Sequence, residues 1–201
     1  MSQGNSCDSC KVNSTLRKGT MDVGLKYERF GSNEVLIGFS DADLPGDTDS
    51  RRSTTGNLFV MSGEAVSWLN RKQSLVALST TEAEYVALAS ATQEAVCLGR
   101  LLSNISMKPK APIVINEDNQ GTIAITKNPT SHIRMKHINI KFHYDWKVLQ
   151  DGIIELVYCP TDPMTADILT KPLPQGHFEA HSFNLGLRNL PTTKLISVGV
   201  M

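Results

Sequence analysis

An α/β fold, a mixed sheet with helices packed on its faces, is what the order of hydrophobic periods along the 201-residue chain predicts. The first half shows short strand-like runs separated by turn signals, as neighbouring antiparallel strands are. The second half separates its strand-like runs by helical ones, as parallel strands require. The size agrees, because 201 residues with 40% hydrophobic content suit one core and at most a small appendage.

The elements follow in order. Residues 1–21 are polar, rich in Gly, Ser, Asn and Lys, and carry no sustained period, so they read as a tail. Glu34-Val-Leu-Ile-Gly-Phe-Ser-Asp41 is an apolar run closed by an acidic, Gly/Pro-containing turn. Thr55–Met61 and Ala65–Trp68 form a hairpin turning at Ser62-Gly63, and Leu75–Leu78 extends the second strand or adds a third. From Thr80 to Asn104, Leu88, Ala91, Ala95, Leu98 and Leu102 recur at three- and four-residue spacing, the signature of a helix with one buried stripe. Pro112–Asn116 reads as a buried strand leading through Glu117-Asp118 into a short helix that Asn128-Pro129 ends. Lys136–Gln150 is helical, Asp151-Gly152 stops it, and Ile153–Tyr158 is a further strand. Short helices are expected over Pro163–Thr170 and Gln175–Leu185. The domain boundaries implied are a tail and linker over 1–33, one domain over 34–187 and a C-terminal tail over 188–201.

Charge and cysteine usage narrow the function classes. Lys+Arg and Asp+Glu stand at 20 each, so any affinity for a polyanion must come from local charge. Cys7, Cys10, Cys97 and Cys159 are scattered, which argues against a secreted disulfide framework. Cys7 and Cys10 have metal-like spacing without a second Cys/His pair to complete a zinc site. No stretch approaches the roughly 18 apolar residues of a membrane span, and the polar start lacks the apolar core of a signal peptide. An intracellular, soluble chain is the expectation.

Four acidic residues stand at the ends of elements. Asp41 closes the first strand, Glu84 lies near the start of the long helix, Asp118 follows the central strand, and Asp167 lies in the helix after the last strand. Taken singly, each reads as a turn former or cap. Gathered within about 4 Å, they would repel by roughly 4 kcal/mol per pair at an effective dielectric near 20, so the cluster would need cations. Oxygen ligands select Mg²⁺ or Mn²⁺, and two such ions roughly 4 Å apart suit phosphodiester hydrolysis. Helix geometry separates Glu84 from its neighbour Glu82. At about 100° per residue, Glu84 falls on the stripe of Leu88, Ala91, Ala95, Leu98 and Leu102, whereas Glu82 points away, toward solvent, where it can form a capping box with Ser79. An ionised Glu on a buried stripe is costly unless paired or metal-bound. A calcium-loop reading of Asp41–Arg52 fails, because Pro45 takes the fifth ligand position and Arg52 the twelfth; Asp43 remains a supporting or turn residue.

These residues carry a family resemblance. Gly38-Phe-Ser-Asp-Ala-Asp43 with Gly46-Asp47, Arg52-Ser-Thr-Thr-Gly56, Ala77-Leu-Ser-Thr-Thr-Glu-Ala-Glu-Tyr85, Glu117-Asp-Asn-Gln120, Lys136-His-Ile138 and Ala166-Asp-Ile-Leu-Thr-Lys-Pro-Leu-Pro174 occur in one order between about Leu16 and Leu187. Together they resemble the ribonuclease H domain of copia-type LTR retrotransposon Pol polyproteins. The resemblance implies a ribonuclease H-like mixed five-stranded sheet flanked by helices. It implies Mg²⁺- or Mn²⁺-dependent cleavage, two ions per site, of the RNA strand of RNA–DNA hybrids during reverse transcription. The family's catalytic, metal-binding quartet maps onto Asp41, Glu84, Asp118 and Asp167. Leu16–Thr20 and Gly24–Tyr27 are similar to the linker after the reverse transcriptase, which makes that domain the expected partner in the parent polyprotein. The histidine that many cellular ribonucleases H carry before the fourth carboxylate is missing from Cys159–Thr165.

For holding the hybrid, the segment from Lys127 to Lys147 sets Lys127, Arg134, Lys136, Lys141 and Lys147 against the single acid Asp145, with Phe142, Tyr144 and Trp146 interleaved. Arg134, Lys136 and Lys141 are the expected nucleic-acid contacts; the competing reading is a solvated helix face. The competing function is a catalytically idle, host-retained remnant with an interaction role. A strand-transfer enzyme of integrase type is disfavoured, because its acidic triad puts Glu last whereas here Glu comes second.

Overall fold

The computed structural model describes residues 22–27, 35–44, 51–128 and 139–190, with the backbone alone over 139–143. In chain order the elements are β1 (Val23–Leu25), β2 (Leu36–Asp43), β3 (Thr54–Met61), β4 (Glu64–Lys72), α1 (Thr80–Asn104), β5 (Ile113–Glu117), α2 (Gln120–Lys127), α3 (Asn139–Gln150) and β6 (Ile154–Tyr158). A 3-10 helix (Thr165–Leu169), α4 (Gln175–Asn184) and β7 (Leu187–Asn189) complete it. Five strands form one mixed sheet in the order β4-β3-β2-β5-β6. β2, β3 and β4 are antiparallel, and β5 and β6 join in parallel through helical crossovers, as the change of period along the chain predicts.

Local chemistry accounts for the boundaries. Ser62 (φ 57°) and Gly63 (φ 93°) both take left-handed conformations, which is how a two-residue turn matches the twist of β3 and β4. β4 runs on to Lys72, and Leu75–Leu78 is not a strand. The reason lies in Gln73. Its N–H donates to Ser53 O at 2.8 Å, and its side-chain amide donates to Thr55 Oγ1 at 3.0 Å and Ala83 O at 2.9 Å, which turns the chain out of the sheet toward α1. Ser79 caps α1 by accepting the Glu82 N–H at 3.2 Å.

The apolar stripe of α1 meets the sheet as its period predicts. Leu88, Ala91, Ala95 and Leu102 join Leu36, Phe59, Ile113, Ile115, Val148, Ile154 and Leu156 in the main core, with Leu98 packed against it. A second core, Leu58, Ala65 and Leu185, is covered by Leu25, Leu187, Ile168 and Leu169 from β1, β7 and the 3-10 helix. Adjacent residues Leu58 and Phe59 fall into different cores, as strand alternation requires. The small antiparallel pair β1–β7 was not evident from sequence. It ties a segment expected in the linker to one straddling the expected boundary at 187/188, and Tyr27 Oη anchors it by donating to Ala65 O at 2.7 Å.

Among the described residues no helix is long and apolar enough to cross a membrane. Cys97 and Cys159 are free thiols, and Cys7 and Cys10 lie outside the described residues.

Candidate active site

The site lies where the parallel centre of the sheet ends. β2 and β5 run side by side with Ser40 opposite Glu117, so Asp41 on β2 and Asp118 just past β5 leave the sheet at the same level. Asp118 is fixed between the strand and the cap of α2, where Asn119 Oδ1 accepts the Thr122 N–H at 3.0 Å; Thr161 Oγ1 donates to Asp118 Oδ2 at 3.1 Å. The first turns of α1 pass over the same edge and deliver Glu84. Oxygen atoms of Asp41, Glu84 and Asp118 lie within 4.8 Å of one another.

The fourth predicted residue is near but held apart. Asp167, on the 3-10 helix after β6, is buried and stands outside that three-carboxylate group. Its Oδ2 accepts from Lys171 Nζ at 2.9 Å, while its Oδ1 has no partner. Thr170, between them, donates its hydroxyl to Asp41 Oδ2 and to Asp167 O, so the segment that carries Asp167 is stitched to β2.

Burial and mutual repulsion dominate the electrostatics. Desolvation, with the Asp167 and Asp118 charges, raises the Asp41 carboxyl from its ordinary value to about 6, against the lowering effect of the Thr170 hydrogen bond and Lys171. Glu84 is pushed up to about 11 by burial and then by Glu117, Asp41 and Asp118. Burial also raises Asp167, which the hydrogen bond from Lys171 partly offsets. Buried Glu84 Oε2 has no hydrogen-bond partner. A set of hard oxygens with unfilled acceptor positions and pKa values this high is chemically fitted to divalent cations, which would replace the protons.

Sequence reasoning passed over several groups here. Glu117 is fully buried and its carboxyl rises well above the ordinary range, mainly by desolvation. Its Oε1 accepts the Asn119 N–H at 3.3 Å and its Oε2 has no partner. Strand alternation could have found it, since Ile113, Ile115 and Glu117 share one buried face. Lys171 and Thr170 lie four and three residues beyond Asp167, the spacing at which side chains on a helical turn meet. His181 on α4 is buried with Nδ1 unpartnered, and burial lowers its pKa despite the charge of Asp167.

One expectation is corrected. Glu82 does not face solvent: it is 2% exposed. The loop from Gln73 to Ser79 folds over the first turn, and Glu82 Oε2 accepts the Leu78 N–H at 2.7 Å, one residue before the cap. Of the predicted nucleic-acid contacts, Arg134 and Lys136 lie outside the described residues, and only the backbone of Lys141 is described.

The chain is 40% identical over 149 residues to the retrovirus-related Pol polyprotein from transposon TNT 1-94 of Nicotiana tabacum, covering 74% of this chain and 11% of that protein. It is 36% identical over 173 residues to the Pol polyprotein from transposon RE2 of Arabidopsis thaliana, covering 86% and 12% respectively. It thus spans about a tenth of the length of these curated relatives. A shorter relative, the secreted RxLR effector protein 161 of Plasmopara viticola, is 54% identical over 81 residues, 40% of this chain and 56% of that protein. Among solved structures, LC11-RNase H1 isolated from compost shares the fold, with a TM-score of 0.52 and 15% identity over 69% of this chain and 94% of that one. No protein-family model matches.

Proposed function

Because the chain belongs to the Pol polyproteins of copia-type retrotransposons and has the ribonuclease H fold, we propose that it is the nuclease that cuts the RNA strand of RNA–DNA hybrids during reverse transcription. The observation that carries this reading is the convergence of Asp41, Glu84 and Asp118, from three separate elements, to within 4.8 Å on this fold. Residues 34–187 are the nuclease unit. The reverse transcriptase of the parent polyprotein is its partner, and the setting is intracellular.

Asp41, Glu84, Asp118 and Asp167 would hold two divalent cations, Mg²⁺ or Mn²⁺. When bound, those ions would lower the pKa of an attacking water and neutralise charge on the phosphate. The protein's own part is positioning. Glu84 and Asp41 release protons to become ligands, Asn119 fixes the turn that presents Asp118, and Thr170 orients Asp41. Arg134, Lys136 and Lys141 bind hybrid phosphates without regard to sequence.

A labelled RNA–DNA hybrid incubated with the protein in Mg²⁺ should lose its RNA strand, and chelation should stop the reaction. Asp118→Asn should abolish cleavage while its circular dichroism spectrum matches the wild type. Cleavage by that variant at the wild-type rate overturns the reading. A second reading, an idle remnant retained for interaction, is favoured by the match to a protein named as an effector rather than as a polyprotein. Absence of both Mg²⁺ binding and cleavage in the wild type would select it.

A further inference from the structure

Asp167 is the member of the quartet that the three-carboxylate group leaves out, and Lys171 is what it touches instead. The contact is built into the backbone. The Asp167 carbonyl accepts the N–H groups of both Thr170 and Lys171 at 3.1 Å and the Thr170 hydroxyl at 3.2 Å, so the chain closes into a tight turn. That turn brings the Lys171 stem back over Asp167. The turn cannot easily slide, because Gly56 on β3 lies against it: a Cβ there would meet Thr170 Cγ2 at 2.5 Å and Leu169 Cβ at 3.1 Å. The acid side of the pair is 5% exposed and the ammonium side 30%. Lys171 thus sets a positive charge directly against the carboxylate cluster, and Asp41 and Asp118 act on it electrostatically as Asp167 does.

We propose that Lys171 is a built-in counter-cation, a positioning residue whose ammonium group keeps Asp167 apart from Asp41, Glu84 and Asp118 until divalent ions displace it. The inference rests on the metal-centre reading above and adds a consequence to it. Divalent ions would fill the centre in two unequal steps, the first on the three gathered carboxylates and the weaker one only when Asp167 exchanges Lys171 for a metal. The charge of Lys171 opposes divalent binding at both steps by ordinary Coulomb repulsion.

Calorimetric titration of the full chain with Mg²⁺ tests this. Lys171→Met should bind Mg²⁺ about ten-fold more tightly than wild type or better, whereas Lys171→Arg, which keeps the charge, should stay within about three-fold. Tightening is the opposite of what damage to the fold would produce. The second measurement uses the wild type alone and so survives a misfolded variant: modification of Lys171 by an amine-reactive reagent, followed by mass spectrometry, should increase several-fold when Mg²⁺ is added. Unchanged or weaker binding in Lys171→Met, or labelling that does not rise, overturns the inference. Asp118→Asn separates the two levels. If it binds Mg²⁺ as wild type does, the metal-centre reading falls and this inference with it. If it loses Mg²⁺ while Lys171→Met matches wild type, this inference falls alone.

Discussion

Glu82 and Glu84 lie two residues apart at the start of α1, both buried, and their surroundings assign them different tasks. Glu82 has its carboxylate on the Leu78 amide, with the Ser79 hydroxyl on its own amide, a local closure of the helix end. Glu84 faces Asp41 and Asp118 and has an oxygen without a partner. Glu84→Gln should therefore lower kcat by a hundred-fold or more, on the order seen when a group that stabilises the transition state is removed. Glu82→Gln should leave kcat within about two-fold and cost about 1 kcal/mol of stability, the usual worth of a cap. Steady-state kinetics and urea unfolding of the two variants check this, and comparable losses of kcat would show that the helix register does not select the ligand. The register of Glu84 was legible because it extends a long apolar stripe. The burial of Glu82 was not, because it depends on where the preceding loop lies.

Elements set the site by packing as much as by side-chain chemistry. Gly56 pairs with Asp41 in the sheet and touches the 3-10 helix through Thr170 and Leu169. Gly56→Ala should push that helix off β3, break the Thr170–Asp41 hydrogen bond, and cost about 1–3 kcal/mol as overpacking does. Cleavage should fall at least ten-fold in a protein that remains folded at 25 °C, read by activity and circular dichroism together. Across the molecule, Tyr85 Oη donates to Asp145 Oδ2 at 2.8 Å, and both side chains are buried, joining α1 to α3. Tyr85→Phe should cost about 1–3 kcal/mol by depriving a buried carboxylate of a donor, measured by chemical unfolding. Long elements were readable in the sequence: α1 repeats its period over 25 residues, and the sheet order follows from where strands alternate with helices. β1 and β7 are three residues each, too short to show a period, and exist only because they pair. Asp41, Glu84 and Asp118 stood out by falling at element ends. Lys171, Thr170 and Glu117 did not, since a lysine near an acid or a glutamate on a strand acquires meaning only from what the fold sets beside it.

For the whole molecule, a formal net charge of zero must be reconciled with binding a polyanion beside a nest of carboxylates. The segment from Lys127 to Lys147 offers local positive charge, and its one acid, Asp145, is turned inward onto Tyr85 while Lys147 is exposed. Arg134→Ala with Lys136→Ala should weaken hybrid binding alike for all sequences and reduce the slope of log affinity against log salt, by somewhat under one for each phosphate no longer neutralised. Binding isotherms from low to moderate salt decide it, and an unchanged slope would return the segment to a solvated helix face. The carboxylates themselves leave a signature on global stability. Asp41 and Glu84 titrate higher in the folded protein than in a free side chain, at about 6 and about 11, and Glu117 and Asp167 are shifted in the same direction. A group raised by folding contributes stability that is complete below its unfolded pKa and is lost as pH rises through the folded one. For Asp41 the loss falls between about pH 4 and 6 and amounts to about 3 kcal/mol; for Glu84 it continues into the alkaline range. In chelator, then, the protein should melt at a higher temperature at pH 5 than at pH 8. Divalent ions take the place of the protons, so Mg²⁺ should raise the melting temperature strongly at pH 8 and little at pH 5, where protons compete for the same oxygens. Scanning calorimetry at both pH values, with and without Mg²⁺, reads all four states. A metal-free protein that is more stable at pH 8, or a Mg²⁺ effect larger at pH 5, would mean that the buried carboxyls are not the groups that link folding, protons and metal.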